Sequence, residues 1–123
     1  MALIEILVSL VILSFGVLGL LGLQASAINF SLDAENRNRA ALLANEIASS
    51  MWLARNVTVS STRLAAWQAT AADPTHTGLP SGTVTITPTA GTTNSADIAI
   101  GWRAQTDATT APNHQFTTRV ILP

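Results

Sequence analysis

Residues 1–24 read MALIEILVSLVILSFGVLGLLGLQ, an apolar stretch that carries one ionisable side chain, Glu5. From Ile6 to Leu23 there are 18 residues with nothing more polar than Ser9 and Ser14, and the next charge is Asp33. At about 1.5 Å per residue, such a helix reaches roughly 27 Å, close to the thickness of a bilayer's hydrocarbon core. The stretch therefore predicts a single membrane-spanning helix. A secretory signal would show a basic start and an apolar run of about 7 to 15 residues. Here the start holds no Arg or Lys and the run is longer.

The helix is predicted to continue well past this run. None of the 16 threonines and none of the five prolines falls within the first 57 residues. Proline breaks helices and threonine favours strands and turns, so their joint absence permits one helix of about 85 Å. Its second part is amphipathic, with Ile28, Leu32, Leu43, Ile47, Met51 and Ala54 at helical spacings on one broad face. On the polar side, DAENRNR sets Asp33 four residues before Arg37 and Glu35 four before Arg39, the favourable order for ion pairs on a solvated face.

Beyond residue 57 the periodicity changes. Val84 and Ile86, then Ile98, Ile100 and Trp102, then Phe116, Val120 and Leu122 alternate with polar or small residues, as half-buried strands do. Pro88 and Gly91 separate the first two, and Pro112 and Asn113 precede the third, so an antiparallel meander is expected. Arg63 to Ala71 reads equally as a short helix or a strand, and residues 73–82 read as loop. The expected class is α+β, a long N-terminal helix packed on a small antiparallel sheet. Residues 1–28 form its hydrophobic half, 29–57 its amphipathic half, and 58–123 the sheet domain. Trp52, at the junction of helix and sheet, and Trp102, on a strand, are expected inside the core, with Trp67 the third large side chain available to it.

Composition narrows function. Charged residues make up 11% of the chain against roughly 25% in ordinary soluble domains, and the net charge is -1. The six basic residues, all Arg, are scattered from Arg37 to Arg119, which gives nucleic acid no basic patch. There is no cysteine, hence no disulfide, thiolate metal site or thiol nucleophile. His76 and His114 stand far apart, each expected in a loop, and Asp73, Asp97 and Asp107 are expected in separate turns. Neither metal binding nor acid–base catalysis is expected, and no cofactor motif occurs.

Glu5 has two readings. At the first helical turn an anion is favoured by unpaired N–H groups and the helix dipole, and near the interface its desolvation cost is modest. Alternatively, it meets a cation when this helix packs beside another, such as the α-amino group of a neighbouring copy's Met1. Apolar surfaces slide past one another, whereas one buried charge pair sets register even where it adds little stability.

The run LIEILVSLVILSFGVLGLLGLQ resembles the mature N-terminus of type IV pilins. Together with GVLGLLGLQ, the later LLANEIASSM is similar to PilV-like minor pilins. The resemblance is strong over residues 3–24, moderate to about residue 55 and weak beyond. It implies the type IV pilin fold, with Glu5 as the assembly determinant and Met1 as a processed, N-methylated residue. Positions one and two, usually Phe and Thr in the family, are Met1 and Ala2 here. Gly16, Gly19 and Gly22 lower helix propensity by about 1 kcal/mol each. They suit close helix approach, the helix loosening that the resemblance implies inside filaments, or ordinary tolerance of glycine in membrane helices.

The resemblance implies a structural minor pilin held in the inner membrane with its C-terminal domain periplasmic, then drawn into an extracellular pilus. Its partners would be minor and major pilins through the N-terminal helix, and a tip adhesin. The chain would belong to a priming or tip complex supporting assembly, adhesion and motility. A minor pseudopilin of type II secretion, and a membrane-anchored binding module, are the competing expectations.

Overall fold

The computed structural model describes all 123 residues, with helices α1 (Ala2–Ala54) and α2 (Ser61–Ala72) and strands β1 (Thr83–Pro88), β2 (Ser95–Trp102) and β3 (His114–Ile121). The arrangement is α+β. Two compact units divide the chain, Met1–Ala34 and Glu35–Pro123, and α1 contributes to both. The first unit is helix alone, and every residue in it is exposed.

In the second unit α1 buries Ala40, Leu43, Ala44, Ile47 and Met51, a stripe of i, i+3, i+4 spacing. These join Ala96, Ile98, Ile100, Trp102, Val120 and Leu122 from the sheet side in one hydrophobic core. The buried stripe is narrower than the amphipathic pattern predicts. Ile28 and Leu32 belong to the exposed first unit, and Ala54 is also exposed. The two alanines, which sequence reading passed over, lie against the core with no exposure at all. Trp52 departs from expectation as well: it is half exposed, because it sits one residue, about 100° of helix, past buried Met51.

Helix α1 ends in a Schellman turn. Asn56 N–H donates to Met51 O (3.3 Å) and Arg55 N–H to Trp52 O (3.2 Å), while Arg55 takes the left-handed conformation at φ 49°. Val57 then drops into the core. The ambiguous segment resolves as helix α2 because Ser60 caps it, its hydroxyl accepting from Arg63 N–H (3.3 Å). Val59 and Leu64 occupy the flanking positions of a hydrophobic staple, and both pack on the core. Pro74 stops the helix, and residues 73–82 form the expected turns.

The sheet has order β1-β2-β3, antiparallel throughout, as the alternation predicts. Even-numbered positions face the core on all three strands. Thr83, Thr85 and Thr87 take the exposed face of β1, which supplies strand propensity without apolar surface. Across that outer face Arg119 on β3 pairs with Asp97 on β2, its register partner (2.6 and 3.0 Å). Asp97 thus lies in a strand rather than in the expected turn.

Gly82 is where this packing is least forgiving: a Cβ there would fall on the carbonyl oxygen of Ala71 at the end of α2. Backbone cannot give way as a side chain can. Gly82→Ala is expected to destabilise the second unit by about 1–3 kcal/mol, measured by urea unfolding followed through Trp fluorescence, with Thr87→Ser on the exposed face of β1 as the comparison.

The Asp97 carboxyl is held below its ordinary value of 3.8 chiefly by the hydrogen bond from Arg119, assisted by attraction to that cation and opposed by partial desolvation. A depressed carboxyl pKa stabilises the fold above the unfolded value, and the gain disappears as pH falls through the lower native value. The stability gap between the natural chain and Asp97→Asn is therefore expected to be constant from pH 7 down to about 5 and to close below pH 4.

Candidate assembly site

The first unit carries the predicted site residues along one exposed helix. Glu5 lies in its first turn, where its N–H donates to Met1 O (3.4 Å), and its own carbonyl accepts the Ser9 hydroxyl (2.8 Å). The Ser14 hydroxyl repeats this with Leu10 O (2.7 Å). Ser9 and Ser14 thus return their hydroxyls to the helix backbone, leaving Glu5 as the one side chain between Ala2 and Leu23 whose polar group is not so used. Its carboxylate makes no ion pair or side-chain hydrogen bond within the chain. Ala2 and Ser9 are small enough to form a shallow notch beside Glu5, walled by Ile6, Leu10 and Leu13.

Met1 is fully exposed at the adjacent chain end, and Gly16, Gly19 and Gly22 sit further along the same regular helix. A Cβ placed on any of the three glycines would meet nothing within 4 Å. No contact inside this chain requires them to be glycine. The helix as a whole is long and apolar enough to cross a membrane, and its most apolar window is entirely unburied. An apolar rod of this length loses surface to water only in lipid or against other helices.

The second unit holds the remaining chemistry-bearing side chains, and it uses them to fasten loops. Arg103 donates to Asn113 Oδ1 (3.0 Å), Thr109 O (3.0 Å) and Ala111 O (3.4 Å), which ties down the β2–β3 connection. His114, expected in a loop, begins β3, where its ring stacks on Trp102 at 5.8 Å and its Nε2 lies 2.9 Å from Asp107 Oδ2. Residues 114 and 102 are register partners, which places those rings together. Arg39 pairs with Glu35 as predicted but also donates to Gly78 O (2.9 Å), 39 residues away. At the far end Asn94 exchanges two hydrogen bonds with Leu122, each 2.8 Å, and so secures the C-terminal tail.

No group of three His, Asp or Glu side chains converges, and Asp73 uses its carboxylate to accept from Thr75 N–H and hydroxyl (2.8 and 2.6 Å). Those two bonds hold the Asp73 carboxyl below its usual range. Sequence reading missed Gln68, whose amide caps the edge of β1, accepting from Val84 N–H (2.8 Å) and donating to Gly82 O (3.3 Å). A glutamine among alanines gives no periodic sign of that role. No family model, curated protein or solved structure matches the chain.

Proposed function

We propose that the chain is a structural subunit of a type IV pilus, a PilV-like minor pilin anchored in the inner membrane by the first half of α1 and then drawn into the filament. The observation that carries this reading is the unpaired Glu5 carboxylate at the head of the apolar, wholly exposed stretch of α1 that ends at Leu23. A simple anchor has no need of an acid at the head of its apolar segment, where the first helical turn tolerates the charge at modest cost. A subunit that must stop at one axial position beside its neighbours does have such a need. The neighbour's α-amino group neutralises the acid in low dielectric, and only one register allows it.

The glycines and the notch support the same reading. Gly16, Gly19 and Gly22 leave room for a second helix, and small residues let helix backbones approach closely in an apolar setting. The second unit, with its loops tied by Arg103 and Asn94, serves as the exposed body presented by the filament. As a minor component it joins other pilins and a tip adhesin in the complex that primes assembly, and it supports adhesion and motility through that complex.

The direct test is fractionation. Surface filaments sheared from the cells and analysed by mass spectrometry are expected to contain this chain with N-methylated Met1. Its confinement to the membrane fraction, with none in filaments, would overturn the proposal.

A further inference from the structure

The chain holds two Asn-x-Ser/Thr triplets, Asn29-Phe30-Ser31 and Asn56-Val57-Thr58, and the fold treats them differently. The first lies within α1, where the Ser31 N–H is committed to the helix ladder and the triplet is wound into a single turn. The second falls in the α1–α2 connection, at the Schellman turn that ends α1. It lies outside both helices. There the Asn56 side chain folds back on its own triplet, Oδ1 accepting the Thr58 N–H (2.8 Å) in an Asx turn.

That turn sorts the groups of the triplet. Asn56 and Thr58 are exposed while Val57, between them, is buried in the core, so the two residues that define the triplet reach solvent and the interchangeable one faces in. With Oδ1 occupied, the Asn56 Nδ2 and the Thr58 hydroxyl make no hydrogen bond within the chain. The Oδ1 bond also bears on reactivity. An amide nitrogen is a weak nucleophile because its lone pair is delocalised onto oxygen, and it becomes a better one as it gives up a proton. A donor already on Oδ1 stabilises the negative charge that collects there when a proton leaves Nδ2.

We propose that Asn56 is a glycosylation site, its Nδ2 receiving a saccharide from a glycosyl diphosphate on a transferase that reads the Asn-x-Thr triplet. In the step, a bond forms between Nδ2 and the anomeric carbon of the saccharide. The bond from that carbon to the diphosphate oxygen breaks, the diphosphate leaves with the electron pair, and one Nδ2 proton passes to a base of the transferase. Nothing is oxidised or reduced. Asn29 is not a substrate, because drawing its triplet into a transferase breaks hydrogen bonds of α1, whereas Asn56 already stands in a connection. The proposal holds whether or not the chain enters a filament.

Trypsin cuts after Arg37, Arg55 and Arg63, so Asn29 and Asn56 fall on different peptides, Met1–Arg37 and NVTVSSTR. Mass spectrometry of the full chain isolated from the cells that make it is expected to find NVTVSSTR heavier by a saccharide and Asn29 unmodified. A single sugar identifies a nucleotide-linked donor and a preassembled block of sugars a lipid-linked one, and either supports the proposal. Asn56→Gln and Thr58→Ala are each expected to abolish the added mass, and Thr58→Ser to keep it. Thr58→Ala retains the backbone N–H of the Asx turn, so its effect reports recognition of the hydroxyl rather than loss of the turn. Unmodified NVTVSSTR in the natural chain, added mass that survives Asn56→Gln or Thr58→Ala, or equal modification of Asn29 would each overturn the proposal. Methylation of Met1 is read on the other peptide, so this proposal and the pilin reading fail separately.

Discussion

Glu5→Ala is expected to lower incorporation of the chain into surface filaments at least tenfold while its level in the membrane stays the same. The physical reason lies in what the substitution leaves behind. An alanine makes the first turn more apolar and a better helix former, so insertion loses nothing and helicity gives up only the small interaction of an acid with the helix dipole. Only the register signal is removed. Without it, apolar helices can stand beside one another at many heights with nearly equal energy, and ordered addition fails. Glu5→Asp, which keeps the charge on a stem one methylene shorter, is expected to retain part of the activity; Glu5→Gln, which keeps shape and loses charge, is expected to behave as Ala. Counting filaments and quantifying the chain in sheared and membrane fractions separates these outcomes. Full incorporation of Glu5→Ala would refute charge pairing as the assembly determinant.

Ile100→Ala is expected to have the largest effect on stability, about 2–5 kcal/mol. Ile100 is wholly buried on the middle strand, with Val84 and Phe116 opposite it on either side. Strands on both flanks and the core above leave little room for collapse into the cavity, which favours the upper part of that range. Domains of this size are typically stable by only about 5–15 kcal/mol, so the variant approaches the threshold of unfolding. Trp102, two residues along the same strand, reports the loss by fluorescence in urea titration. Ile121→Ala, whose side chain is largely exposed on β3, is expected to change stability by less than about 0.5 kcal/mol. Equal losses at the two positions would contradict the assignment of the core face. Neither substitution touches the first unit, so insertion into membranes should be unaffected.

Some features were legible because they are periodic or local. The 18-residue apolar run, the absence of Pro and Thr through residue 57, and the alternation at Val84, Ile98 and Phe116 each report one element through nearby residues alone. Helix α2 was ambiguous on periodicity, and its cap at Ser60 decided it. Trp52 and His114 were misread for a different reason: size or polarity suggests a location, but the helical angle beside Met51 and the register opposite Trp102 determine it. The contacts of Arg39 with Gly78 and of Gln68 with Val84 join residues far apart in the chain, so no local pattern announces them.

By itself, then, the sequence determined the long helix with its apolar first stretch, the lone acid at the head of that stretch, the α+β order of elements and the core face of each strand, because these follow from the spacing of side chains along one backbone. Tertiary structure alone decided where burial on α1 begins, which loops Arg103 and Asn94 secure, and which edge of the sheet is closed. Those depend on how separate segments meet, and a closed edge requires a side chain from elsewhere to satisfy backbone groups that no neighbouring residue can reach.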